Sequence, residues 1–248
     1  MPSLPTPTPA TTKDDIRSFF DGLAADYAER HGSAGPLLAH RLAVLDRHAE
    51  FAPSDTVLDV GCGPGTHLRA LADRIDRGIG VDLSPNMIET ARRHTSHPAL
   101  SFRVDDAEAL SSVPSDSVDT VICVGVLEHV LRPGRALRQV ARVLRPSGRF
   151  VALTLNGDYW WYRLADRLGL PTRHIATDRR FDPARAGRLL RESGLAPDVG
   201  FWRFVPGGDL PLPLAAVCRA LDALGRRLAV ASLRGGLRLS GRPRPLRG

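Results

Sequence analysis

The sequence predicts an α/β fold: a doubly wound, mostly parallel sheet of seven strands with helices on both faces. Three observations carry this. Residues 57–66, Val-Leu-Asp-Val-Gly-Cys-Gly-Pro-Gly-Thr, set a short apolar run rich in β-branched residues before alternating glycines. An apolar-periodic segment follows (Leu68, Leu71, Ala72, Ile75), so the stretch reads as buried strand, tight turn and helix. Residues 80–83, Gly-Val-Asp-Leu, then give a second strand ending in Asp82, and strand-like and helix-like segments alternate onward to residue 155. At 248 residues the chain suits one α/β domain with appendages and is long enough to bury a core.

Each element has its own signal. Residues 1–12, of Pro, Thr, Ser and Ala, read as a disordered lead. Residues 13–29 predict an amphipathic helix, because Ile16, Phe19, Phe20, Leu23, Ala24 and Tyr27 recur at three- and four-residue steps. Residues 37–50 predict a second, with Leu38, Leu42 and Leu45 on one face. Together they make an N-terminal helical segment over 13–50, ahead of a main domain over 51–245. Ser84-Pro85 opens the helix at 87–94 with an N-cap and a proline at N1. Strand three covers 100–104, and the apolar strand four, 118–124, suits a position covered on both faces. A helix over 133–144 is stopped by Arg145-Pro146-Ser147-Gly148, and strand five follows at 149–155.

Beyond residue 155 the pattern loosens. Residues 156–180 read as an irregular insertion holding Tyr159, Trp160, Trp161 and Tyr162, four of the chain's six Trp and Tyr residues. An aromatic cluster outside a periodic segment favours a binding wall over plain core. A helix at 183–193, strand six at 199–205, an arginine-edged apolar helix at 212–230 within a second insertion (209–232), and strand seven at 236–240 complete the reading.

Composition excludes some classes. Cys62, Cys123 and Cys218 are odd in number and widely spaced, which suggests neither a disulfide framework nor a metal site. With no apolar run of membrane-spanning length and no apolar leader, the expectation is a cytoplasmic protein. Of the 34 basic residues, Lys13 is the sole lysine. Residues 219–248 hold eight arginines against Asp222, which accounts for the whole formal charge of +7, so the basic character belongs to the tail.

The chemistry sits in the glycine turn. Glycines at 61, 63 and 65 admit positive φ and let a ligand approach the main chain. An acid at the tip of the second strand, Asp82, is placed to accept hydrogen bonds from both ribose hydroxyls of a nucleoside. The nicotinamide-dinucleotide spacing Gly-x-Gly-x-x-Gly is not met, since position 66 is Thr. Asp59, just before the turn, disfavours a phosphate and suits a cationic ligand.

These residues resemble motif I of the Rossmann-like (class I) S-adenosylmethionine-dependent methyltransferases, of the small-molecule type found in ubiquinone and menaquinone biosynthesis. The resemblance runs from about residue 55 to 155. It implies that Asp59, Gly61, Cys62, Gly63 and Gly65 lie at the amino-acid end and ribose of the cofactor. Asp82 and Leu83 would hold the ribose diol, and Asp106 with Ala107 the adenine; Met87 and Cys123 are counted with the same site. Asp105 departs from the family's usual Gly-Asp-Ala. The segment from Phe19 to Gly32 is similar to the family's lid, in which a tyrosine, here Tyr27, closes over cofactor and acceptor; the other reading is that Phe20 and Tyr27 only pack on the sheet. Residues 125–130, Gly-Val-Leu-Glu-His-Val, are similar to a stretch facing the transferred methyl group, and the family's last strand runs antiparallel.

Methyl transfer needs an aligned acceptor more than a protein nucleophile, and no Ser-His-Asp or Cys-His constellation is present. A hydroxyl acceptor must lose a proton, and His129 is the first candidate base; it is equally readable as a structural histidine beneath the cofactor. His174 is the second, and Glu128 reads as structural. The 212–230 helix reads as an interfacial helix at anionic lipid, as a folded cover or dimer contact, or, less well given no aromatic for base stacking, as a nucleic-acid contact. The expectation is methyl transfer, favouring oxygen, to a small, hydroxylated, rather apolar metabolite, with no nucleic-acid partner. The competitor is a cofactor-binding module that has lost turnover.

Overall fold

The computed structural model describes residues 11–25, 27, 35–169, 179–203, 232 and 234–244. Residues 1–10 of the predicted lead, most of the 170–180 stretch and the 212–230 helix therefore lie outside the described residues. Two helices, α1 (Lys13–Leu23) and α2 (Pro36–Ala49), precede β1 (Thr56–Val60), α3 (Thr66–Leu71), a 3-10 turn (Ala72–Arg74), β2 (Arg77–Asp82) and α4 (Pro85–Arg93). Then come β3 (Leu100–Val104), β4 (Val118–Val124), α5 (Pro133–Val143), β5 (Leu144–Leu155), α6 (Trp160–Arg167), α7 (Pro183–Glu192), β6 (Asp198–Arg203) and β7 (Gly236–Gly241). They form one sheet of seven strands in the order β3-β2-β1-β4-β5-β7-β6. All neighbours pair in parallel except β7, which is antiparallel to both β5 and β6. This is the predicted architecture, with its antiparallel last strand.

Side-chain alternation explains why the central strands read as continuous apolar runs. Leu58, Val60, Val121, Cys123, Phe150 and Ala152 enter one core, with Leu137 and Val140 of α5 and Leu190 of α7. Val57, Ile122, Val151 and Leu153 enter the other, with Leu45 and Ala49 of α2 and Leu68 and Leu71 of α3. Both faces are covered. The strand order reverses between β1 and β4, so a crevice opens outside the carboxyl ends of these strands.

Three expectations need correcting. The first helix stops at Leu23, with Ala24 as its C-cap, short of the predicted residue 29. Strand five starts at Leu144, not 149: Leu144 pairs with Val118 and Arg149 with Thr120, and the Pro-Ser-Gly segment between bulges out of register. Residues 160–167 form a helix where an irregular insertion was expected, because Tyr159 and Tyr162 bury against each other and fold the segment back.

Candidate cofactor and acceptor site

At the end of β1 the chain turns through Gly61 and Gly63, and Gly61 N–H and Cys62 N–H both donate to the Val81 carbonyl at 2.7 and 3.0 Å. This fastens the loop to the end of β2. Gly61 has φ +70°, and a Cβ there would lie 2.2 Å from Val126 Cγ2. Only glycine fits that contact. At Gly65, φ +76°, a Cβ would lie 2.7 Å from the Phe102 ring, so its role is packing of the loop against β3. Gly63 differs: a Cβ would meet only Tyr27 at 3.7 Å and Met87 Sδ at 4.0 Å, which leaves its backbone open toward a ligand.

Asp82 ends β2 with its carboxylate fixed. Gly63 N–H donates to Oδ2 at 2.9 Å and Ser84 N–H to Oδ1 at 2.9 Å. Each oxygen keeps acceptor capacity for a diol. Burial raises the Asp82 carboxyl, and these backbone donors pull it back toward the charged form. Ser84 Oγ accepts from Met87 N–H at 3.1 Å, the predicted N-cap of α4.

The pocket between these strand ends and α1 encloses about 690 Å³ of empty space, its open mouth included. Gly61, Gly63, Asp82, Leu83, Met87, Asp106, Ala107, Tyr27 and His129 all line it. Asp59, Cys62, Gly65 and Cys123 do not. Cys62 and Cys123 are buried in the two cores, where burial pushes both thiols far up. His174 lies outside the described residues. The described aromatics of the 156–180 stretch also stand elsewhere. Tyr159 and Tyr162 are buried edge-on at 5.4 Å, the Arg180 guanidinium lies 4.3 Å over the Tyr162 ring, and Trp160 is exposed. Tyr159 and Tyr162 thus form a packing cluster outside this pocket, while the Trp161 side chain and residues 170–178 of the predicted binding wall lie outside the described residues.

Beneath the glycine loop Asp59 is wholly buried, and neither carboxyl oxygen has a hydrogen-bond partner among the described residues. Burial, with the Asp82 charge adding, pushes its carboxyl up to about 8. His67 Nδ1 stands 3.9 Å from Asp59 Oδ2, beyond hydrogen-bond reach. Burial, with the Arg41 charge adding, holds the His67 imidazole down at about 3, so the two meet as neutral groups. An orphaned buried acid is what a ligand cation can complete. Tyr27 is kept a phenol by burial, its pKa raised to about 12.

Residues around the pocket complete the picture. Arg41 of α2 does not line it but is half-buried within electrostatic reach of Tyr27 and Glu128, and its Nε has no hydrogen-bond partner among the described residues. His40 beside it stacks on Trp202 at 5.9 Å and bonds the Trp202 carbonyl at 2.9 Å, pinning α2 to β6. Ile16 and Phe20 of α1, with Val126, Val130 and Leu131, form the apolar part of the wall. The Phe20 ring meets His129 edge-on at 5.1 Å. Glu128 is buried and accepts from Thr154 Oγ1 at 2.7 Å, which ties the β4 loop to β5. Asp105 has a structural purpose: its carboxylate accepts from the backbone of Asp106, Ser111 and Ser112 and shapes the acidic loop. Among the described residues, no His/Cys/Asp/Glu cluster could hold a metal, and no helix is long and apolar enough to cross a membrane.

A seven-stranded sheet of this order with a glycine loop and strand-end acids defines a nucleoside-binding α/β protein, and comparison with known proteins narrows it. The family described as "Methyltransferase domain" matches residues 58–152. A ubiquinone biosynthesis O-methyltransferase of Nitrosospira multiformis is 33% identical over 163 residues, 62% of this chain and 68% of that protein. An uncharacterised 37.1 kDa protein in a transposon of Streptomyces fradiae is 36% identical over 197 residues, 75% of this chain. The chain spans about half the length of that relative, 52%. Among solved structures, a chain from a complex with the Haloferax volcanii Trm112 methyltransferase activator superposes with a TM-score of 0.70 at 28% identity, covering 94% of this chain and 99% of that one. The chain belongs to the class I S-adenosylmethionine-dependent methyltransferases. Its cofactor is S-adenosylmethionine.

Proposed function

We propose that the chain transfers the methyl group of S-adenosylmethionine to an oxygen of a small, hydroxylated and rather apolar metabolite. The observation that carries this reading is the wall shared with His129: Phe20 meets its imidazole edge-on at 5.1 Å, and Val126, Val130 and Leu131 line the same pocket. The 33% identity to a ubiquinone biosynthesis O-methyltransferase supports the same acceptor class. When bound, S-adenosylmethionine supplies an electrophilic methyl group on a sulfonium. Asp82 takes the ribose hydroxyls, Asp106 and Ala107 meet the adenine, and Gly63 lets the main chain close on the cofactor. Neither Arg41 nor Asp59 lines the pocket; from behind its wall Arg41 would supply positive potential for the cofactor's carboxylate and Asp59 negative potential for its sulfonium. The apolar wall excludes water and holds the acceptor in line, an effect worth up to roughly 7–11 kcal/mol in favourable cases. His129 accepts the proton of the acceptor hydroxyl, a contribution of about 10²–10⁴ in rate.

The test is methyl transfer from labelled S-adenosylmethionine to a panel of catechols, hydroxylated quinone precursors, tRNA and protein. Product on the phenolic panel is expected; label on tRNA or protein alone overturns the acceptor class. In the same assay His129→Ala is expected to lower kcat by about 10²–10⁴ with cofactor affinity unchanged. A parallel loss of cofactor affinity makes His129 structural.

A further inference from the structure

Lys13 is the chain's sole lysine among 34 basic residues, and it opens α1. A cation in a helix's first turn stands against the positive end of the macrodipole, so its charge must be held by something else. The Lys13 ammonium is hydrogen-bonded to Asp106 Oδ2 and stands 3.1 Å from Glu108 Oε2. Glu108 is buried, and the Lys13 side chain lines the pocket. The far end of α1 is anchored separately: Asp21 accepts from Ser84 Oγ and from Asn86 N–H at 3.2 Å. The position of Lys13 is thus fixed at both ends of its helix, a capping box at Thr12 included.

An ammonium has three donors, and two point to carboxylates here. Asp106 Oδ1 accepts from Glu108 N–H at 2.9 Å, yet a carboxylate offers about four acceptor sites, so capacity remains on both oxygens. The wall therefore presents a hydrogen-bond donor beside an acceptor, contributed by elements 93 residues apart. Adenine carries the complement: an exocyclic amine that donates, flanked by ring nitrogens that accept. We propose that Lys13 is a cofactor-binding residue that reads the adenine edge together with Asp106, donating to a ring nitrogen beside the amine that Asp106 receives. The inference rests on reading this pocket as the S-adenosylmethionine site. It makes α1 part of the cofactor site and not merely its cover.

The experiment is calorimetric binding of S-adenosylhomocysteine and its 1-deaza and 7-deaza counterparts to the wild-type chain and to Lys13→Met. Each analogue removes one ring acceptor. The wild-type chain is expected to bind one of them about tenfold to a hundredfold more weakly than S-adenosylhomocysteine. Lys13→Met should lose a similar factor for S-adenosylhomocysteine and no longer distinguish that analogue. Should the wild-type chain bind all three within twofold, the inference fails, with no reliance on the variant's folding. It fails equally if Lys13→Met weakens all three by one common factor, which marks a latch alone. Absence of S-adenosylhomocysteine binding to the wild-type chain would instead sink the underlying reading of the pocket.

Discussion

The two ends of the sheet treat polar and aromatic side chains in opposite ways. At the β1–β2–β4 end, Asp82 is half-buried, twice hydrogen-bonded by backbone, and lines an open pocket. At the β5–β7 end, Arg238 is buried and closed off by Asp198, which takes both its terminal nitrogens at 2.8 and 3.0 Å. Tyr159 and Tyr162, the residues most suggestive of a binding wall, pack on each other there. Residual acceptor capacity facing a cavity marks the functional group, and closure by a partner marks the structural one. Satisfied polar networks and aromatic pairs hold the fold together, and half-satisfied groups leave room for a ligand.

The sharpest way to break that contrast is Tyr162→Ala. It removes a buried ring that packs on Tyr159 and under Arg180, and should cost about 2–4 kcal/mol of stability. In a chain of this size that is a fall of roughly 4–16 °C in Tm. Cofactor affinity should stay within about threefold of wild type; a hundredfold loss in calorimetry would place the aromatic cluster back in the site.

Asp59→Asn sharpens the comparison from the other side. The Asp59 carboxyl is raised from 3.8 to about 8, so across that window the native chain holds a proton that the unfolded chain has released. Stability therefore falls as pH rises from about 4 to 8. The asparagine variant removes this cost, and its ligand-free form should gain on the order of 1–3 kcal/mol at pH 8 in denaturant melts. Binding of a cation beside Asp59 lowers its pKa and expels the proton. Wild-type affinity for S-adenosylmethionine should then rise with pH toward 8, with proton release visible as a buffer-dependent binding enthalpy. Equal enthalpies in phosphate and Tris, after correction for dilution, would contradict that role. The smallest effect belongs to Trp160→Ala. Its half-exposed ring meets Tyr159 edge-on at 6.0 Å, so the change should cost no more than about 1 kcal/mol and leave cofactor affinity unaltered.

How much of this was legible in the sequence follows from how local each signal is. The glycine loop, the Ser84-Pro85 helix start and the acids at 82 and 106 are each defined within a few residues, because strand ends and turns impose their own chemistry. The mostly parallel sheet followed from the alternation of strands and helices. Lys13 was not legible as a site residue, nor was Arg41 as a charge behind the Tyr27 wall. Lys13 comes from a helix remote in sequence, and only the packing of α1 over the strand ends brings it to the pocket. Asp105 looked like a departure from a family pattern, and its three backbone donors explain it. Tyr159 and Tyr162 misled because a helix of eight residues is too short to display its period, so burial against a neighbour looked like an irregular cluster.

The central claim is that the pocket under α1, with Asp82 on its wall, is where S-adenosylmethionine binds. The most direct measurement is calorimetric titration of S-adenosylmethionine into the wild-type chain and Asp82→Ala, with the melting temperature of each recorded alongside. Loss of two charge-assisted ribose contacts should weaken binding by at least about a hundredfold, with stability little changed. Undiminished binding by a folded Asp82→Ala chain would contradict the account.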